Sequence, residues 1–258
     1  MIKLKTPDEI KALREGGLIL AEILRQLGDM VEPGINTKDL EKQALKLIKK
    51  AGGVPAFKGY KDYKGAKPYP CALCTSINHE VVHAPSEPGR FLKNGDLISL
   101  DIGMKYKKLF TDTAITVAVG EIDETSYRLI NTTKECLELA IKQVQPGKTL
   151  LDIARAVQIN AEANGFNVVR ELVGHGVGHE VHEAPQVLNY DSGEKLDEHV
   201  LEVGLVIAIE PMLTIGGWEI AIANDGITYI TKDKSLSAHF EHSIAVTASG
   251  HEVLTSLD

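Results

Sequence analysis

Two stretches of this 258-residue chain are punctuated alike, and any fold it adopts must accommodate the likeness. In the first, Thr6-Pro7-Asp8-Glu9 carries the marks of a helix start: a threonine N-cap, proline at the first helical position and a glutamate that closes a capping box. Leu13, Leu20, Ile23, Leu24 and Leu27 mark an apolar stripe, which Val31-Glu32-Pro33-Gly34 breaks. A second helix is expected from Thr37 to the Gly52-Gly53 stop, with Leu40, Ala44, Leu47 and Ile48 inward. In the second stretch a helix over Leu129 to Val144 ends in Val144-Gln145-Pro146-Gly147, and the box Thr149-Leu150-Leu151-Asp152 opens another that stops at Gly165. Pro33 matches Pro146, Gly34 matches Gly147 and Gly52 matches Gly165, each 113 positions on.

The likeness continues. His79-Glu80-Val81-Val82-His83-Ala84-Pro85 resembles His179-Glu180-Val181-His182-Glu183-Ala184-Pro185, at an offset of 100. Gly95–Asp101 resembles Gly204–Glu210, at an offset of 109. One half therefore carries extra loop, for which Lys58–Pro70, rich in turn residues, is the candidate. Four matches in one order predict two related halves, roughly residues 1–120 and 121–258, packed about a pseudo-twofold axis within one domain. Two helices and a hairpin per half predict an α+β fold, with helices covering one face of a shared antiparallel sheet.

Residues 96–117 read as two strands joined by a basic turn. Strand side chains alternate between faces. Ile98, Leu100 and Ile102 share one face of the first strand, and Ser99, Asp101 and Gly103 the other. In the second, Ile115 and Val117 oppose Asp112, Ala114 and Thr116. The repeat pairs Asp101 with Glu210, an acid sharing its face with Val206 and Ala208, and a later strand places Glu241 beside Ser243 and Ala245. Four strands thus each carry one acid on a side of small residues, and a twofold would gather the acids. Four buried carboxylates repel unless cations hold them. Oxygen ligands with an imidazole suit Mn²⁺, Fe²⁺, Co²⁺ or Zn²⁺, and four carboxylates carry charge for two divalent ions. The imidazole candidate is His175, in a glycine turn whose flanking Gly174 and Gly176 would let a ligand approach the backbone.

Other chemistries find less support. His79-Glu80-Val81-Val82-His83 matches the zinc-protease pattern H-E-x-x-H, which works only on a helix. Its two valines, and Pro85 just after it, argue against a helix there, so His83 and His182 read instead as equivalent histidines on opposite rims of a cleft. Nucleophile-elbow, phosphate-loop and dinucleotide glycine patterns are missing. With a formal net charge of −8 and no long basic run, nucleic acid is disfavoured as the main ligand. No apolar run is long enough to span a bilayer. The N-terminus lacks a signal-peptide core, and three cysteines, including a lone Cys71-x-x-Cys74, suit a reducing cytoplasm.

With these residues assembled, the chain resembles the type I methionine aminopeptidases over essentially its whole length. The motifs are SLDIG, TDTA with its Asp112 eleven residues after Asp101, GHGVGHEVHEAP, AIEP and SLSAHFEHSIAVT. The resemblance implies the pita-bread fold, and a two-metal site made of Asp101, Asp112, His175, Glu210 and Glu241. It implies removal of the N-terminal methionine from nascent polypeptides, met at the ribosome, when the second residue is small. A hydroxide bridging the metals would attack the first peptide bond. Glu210 would bind metal and take the proton, His182 would stabilise the oxyanion, and His83 would contact the scissile amide and help the leaving amine. Tyr60 and Cys74 are expected pocket walls. The departures from the family's pattern are Ala84 where glycine is usual, Ile227 where an aromatic is common, and the lysine-rich loop before Cys74. Two rivals share the fold. A proline-directed peptidase would carry a sizeable N-terminal domain, for which a first helix at Thr6 leaves no room; a non-catalytic binding module would lose metal ligands. A type II enzyme would carry a long insertion near the His175–Glu210–Glu241 spacing. No exposed apolar stripe is evident, so a monomer is expected.

Overall fold

The computed structural model describes residues 2–61, 67–194 and 198–257; part of the lysine-rich segment Lys58–Pro70 lies outside them. Both capping boxes form. The Thr6 hydroxyl accepts from Glu9 N at 3.3 Å and the Glu9 carboxylate accepts from Thr6 N at 2.8 Å, heading α1 (Pro7–Gly28). α2 (Thr37–Lys50) is capped by Asn36, and α3 (Glu124–Ile141) by Asp123, which starts that helix five residues earlier than its apolar pattern suggests. Thr149 and Asp152 repeat the box at the head of α4 (Leu150–Ala163).

The first half supplies β1 (Val54–Pro55), β2 (Leu73–Ile77), β3 (Glu80–Val82), β4 (Leu97–Tyr106) and β5 (Leu109–Ala118). The second supplies β6 (Asn167–Val168), β7 (Gly174–Gly176), β8 (Glu183–Val187), β9 (Val206–Ile209) and β10 (Met212–Thr214). Then follow β11 (Ile220–Ile222), β12 (Tyr229–Thr231), β13 (Ser237–His239), β14 (Glu241–Thr247) and β15 (Gly250–Val253). The main sheet runs β1-β4-β5-β14-β9-β7-β8, with β2 also beside β4 and β15 beside β14. Its pairings are antiparallel, and the halves join where β5 meets β14, Glu241 opposite Ala114 and His242 opposite Thr113.

The pseudo-twofold is written in the main chain. Gly34 N donates to Leu92 O, and Gly147 N to Leu201 O. Leu92 N donates to Ile35 O, and Leu201 N to Lys148 O; Ala56 N donates to Gly103 O, and Val169 N to Met212 O. Strand registers extend the correspondence to the site. Ser99 pairs with Ser76, and its counterpart Ala208 pairs with His175, so Ser76 corresponds to His175. That is an offset of 99 rather than the 100 suggested by the letters, and it carries His83 onto His182. Across the join, Ser99 pairs with Thr116 and Ala208 with Ser243. Thr116 therefore corresponds to Ser243, Asp112 to His239 and Ala114 to Glu241. Side-chain hydrogen bonds agree. The Ser243 hydroxyl accepts from Asp112 N at 2.9 Å and donates to Asp112 O at 2.8 Å. The Thr116 hydroxyl does the same with His239 N and O, both at 2.8 Å.

Each half has its own apolar cluster between its helices and the sheet. Leu20, Leu24, Leu40, Ile48, Ile98, Leu100 and Ile102 pack in one; Leu129, Leu137, Ile153, Val157, Ile207, Ile209 and Ile244 pack in the other. Each such side chain stabilises the fold by about 1.5–3 kcal/mol. Alternation then fixes the opposite face, where Asp101, Asp112 and Ala208 must lie.

Candidate metal centre

Five predicted residues meet at the join. Asp101 lies mid-β4 and Asp112 on β5, opposite Gly103. Glu210, expected on a strand, stands one residue beyond the end of β9, and Glu241 opens β14. His175 is the middle residue of β7 rather than part of a glycine turn. Its flanking glycines also serve a different end from the one expected. A Cβ on Gly174 would fall on the Ala208 carbonyl, and one on Gly176 on the Ala184 carbonyl, so backbone fills that space and not a ligand.

Donor atoms of Asp101, Asp112 and Glu241 lie within 4.8 Å of one another, as do those of His175, Glu210 and Glu241. Asp101 is 7% exposed, Asp112 3% and Glu241 2%. Burial pushes the Asp101 carboxyl up to about 6, and the nearby Glu210 charge adds to this while His239 opposes it. Burial, then the neighbouring Asp101 and Glu210 charges, holds Asp112 well above its ordinary value. Glu241 is raised likewise, by burial and then by Asp112, Glu210 and Asp101. Asp101 Oδ1 and Glu241 Oε1 are buried with no hydrogen-bond partner. Buried oxygens left in that state are costly unless something cationic binds them.

His175 completes the cluster. Its Nδ1 lies 2.8 Å from Gly176 O, and a carbonyl can only accept, so Nδ1 carries the proton. Burial, reinforced by His182, lowers its pKa to about 4. The neutral ring therefore turns the Nε2 lone pair towards Glu210 Oε1, 3.5 Å away. This donor set, all oxygen but for one imidazole nitrogen, fits a divalent ion such as Mn²⁺, Fe²⁺, Co²⁺ or Zn²⁺.

The cluster forms one wall of a cavity of about 950 Å³, which His83, His182, Tyr60, Cys74 and Ile227 also line. His83, at φ 62°, has its pKa lowered to about 4 by burial and then by His182, and meets the Tyr229 ring edge-on at 5.6 Å. His182 is exposed; its Nδ1 lies 2.8 Å from the Tyr60 hydroxyl and its ring 4.4 Å from that of His175. Cys74 is buried opposite Asp101 on the neighbouring strand. The H-E-x-x-H segment is not helical: its middle, Glu80–Val82, is β3, with Glu80 bonded to Arg90 Nη1 at 2.6 Å and to Ile77 N at 2.7 Å. Sequence reasoning missed Phe57, Tyr69 and Tyr229 as walls, and it passed over His239. The aromatics lie in irregular or short segments with no period to flag them. His239 is 1% exposed, both its ring nitrogens lack partners, and Nε2 is 3.6 Å from Glu210 Oε2.

A sequence profile of metallopeptidase family M24 matches residues 11–248. The chain belongs to that family. A metallopeptidase family implies dependence on a divalent metal, and the donor cluster could hold one. Methionine aminopeptidase 1 of Bacillus subtilis is 41% identical over 256 residues, covering 99% of each chain. A methionine aminopeptidase of Aquifex aeolicus is 44% identical, again covering 99% of both. The crystal structure of a methionine aminopeptidase from Thermotoga maritima superposes with a TM-score of 0.93 at 43% identity, covering 99% of this chain and 100% of that one. A prolidase of Pyrococcus horikoshii shares the M24 fold, with a TM-score of 0.77 at 23% identity. The pita-bread architecture that the resemblance implies, in keeping with the repeat, is therefore present. No described helix of this M24 chain is long and apolar enough to cross a membrane.

Proposed function

We propose that this chain removes the N-terminal methionine from new polypeptides whose second residue is small and uncharged. One observation carries the reading: Asp101, Asp112, His175, Glu210 and Glu241 converge on the wall of a cavity, with Asp101 Oδ1 and Glu241 Oε1 left for a cation. The full-length likeness to methionine aminopeptidases supports it.

Those five residues would hold two divalent ions, since four carboxylates can balance two such charges. Bound divalent ions supply Lewis acidity and lower the pKa of water. The protein's own groups do the rest. Glu210, whose Oε1 faces His175 and whose Oε2 faces His239, takes the proton of the attacking water. His182, exposed over the cluster and oriented by Tyr60, donates to the developing oxyanion. His83, seated against Tyr229 on the opposite rim, contacts the scissile amide and helps the amine leave. Tyr60 and Cys74 wall the methionine pocket, with Ile227 at its edge. Residues 1–258 act as one catalytic unit, a monomer working in the cytoplasm on chains emerging from the ribosome.

The test uses metal-free protein with Mn²⁺, Fe²⁺, Co²⁺ and Zn²⁺ added back singly. Met-Ala-Ser should be cleaved on addition of ion, and Met-Leu-Ser and Gly-Pro peptides spared. Equal cleavage of Met-Leu-Ser, or a preference for proline in second place, would defeat the assignment.

A further inference from the structure

The registers place His239 where the other half has Asp112. The equivalence is physical. Thr116 clamps the His239 backbone with the same pair of hydrogen bonds with which Ser243 clamps that of Asp112. Asp112 abuts Asp101; His239 abuts Glu210, the counterpart of Asp101, at 3.6 Å. A buried imidazole with both nitrogens unpartnered needs an explanation, because buried polar groups are otherwise paired. The anchor is also shared across the join. The Thr116 hydroxyl that holds His239 lies 2.8 Å from Ser99 Oγ, two residues before Asp101 on the same face.

We propose that His239 is a positioning residue for the metal centre: its Nε2–H donates to Glu210 Oε2 and fixes the orientation in which Glu210 presents its other oxygen. The remaining gap is within reach of a small rotation of the flexible Glu210 side chain. His239 acts through Glu210 and is not itself a ligand, as it joins none of the metal-binding groups among the described residues. The proposal rests on the metal-centre reading above. It goes beyond it by giving the second half a counterpart of Asp112 that holds a ligand in place.

Two substitutions test it, because the amide nitrogen of Gln falls near Nε2 of His and that of Asn near Nδ1. Mn²⁺ binding to metal-free wild type, His239→Gln and His239→Asn is measured by calorimetry, with circular dichroism to establish folding. Outer partners of metal ligands are typically worth 10–100-fold in affinity. His239→Asn should therefore weaken Mn²⁺ about 10–100-fold at unchanged stoichiometry, and His239→Gln should stay within about threefold of wild type. Equal affinities for the two variants would overturn the proposal, as would a loss of one bound ion per chain in both, which would make His239 a ligand. Failure of wild type itself to bind Mn²⁺ would instead sink the metal-centre reading.

Discussion

The two halves of the molecule share a hydrogen-bonded skeleton and diverge in what they hang on it. Ser76 corresponds to His175, Asp101 to Glu210, Asp112 to His239 and Ala114 to Glu241. The first half offers two short aspartates within a single hairpin of two ten-residue strands; the second offers two longer glutamates from strand ends. Only His83 and His182 are alike in letter, and their surroundings differ: one is enclosed against Tyr229, the other exposed on Tyr60. Symmetry brings the groups together, but role follows local environment.

The largest effect should come from the second half's longest arm. Glu210→Gln should keep its fold by circular dichroism and lose about 10²–10⁴-fold in kcat, the usual worth of a positioned base. Near-normal turnover would mean that Asp101, its counterpart, or neither takes the proton. Next come the twin histidines. His182→Ala should cost about 10²–10³ in kcat with little change in KM, as for loss of an oxyanion donor. His83→Ala should cost only on the order of tenfold, the worth of about one hydrogen bond. Matching losses, or a larger one at His83, would exchange the roles of the rims.

The clustered acids make a third difference measurable. In metal-free protein Asp101 titrates near 6, and Asp112 and Glu241 are also raised, all by burial first, whereas His175 is neutral above about 4. A raised carboxyl holds a proton that a divalent ion must expel, while the neutral imidazole has none to give. Mn²⁺ binding at pH 6 should thus release protons, fewer as pH rises, and affinity should climb with pH. Calorimetry in buffers of different ionisation heat reads the count, and zero at pH 6 would mean that the acids are already ionised. The smallest effect concerns the skeleton. Thr116→Val and Ser243→Ala remove equivalent buried hydroxyls, and each should destabilise by a similar amount, about 1–3 kcal/mol. Melting points that drop by clearly different amounts would show that the clamps are equivalent in drawing only.

Much of this was legible in the letters. Alternation exposed Asp101 and Asp112, and the offset of Pro33 and Pro146 exposed the duplication. What stayed hidden depends on pairing between strands distant in sequence. β5 and β14 share almost no letters, so nothing in the string aligned Asp112 with His239. His175 looked like a turn residue because its glycines, demanded by the crowding of β9 and residue 184, carry the same signature as a loop. Nothing in the letters marks Glu41, yet it is buried and accepts from Ala72 N and Leu73 N, tying α2 to β2.

The β5–β14 seam has a consequence for the order in which the molecule can be made. β5 is synthesised well before β14, and at 5–20 residues per second the intervening residues take roughly 6–25 s to appear. Meanwhile the sheet ends in a long unmated border, the kind of edge that invites docking by the wrong strand. A charge carried on an edge strand makes a foreign strand unwelcome, and β5 carries the Asp112 carboxylate on its open face. The carboxylate that would later meet a cation would thus also guard its own strand, keeping the berth vacant until the proper neighbour arrives.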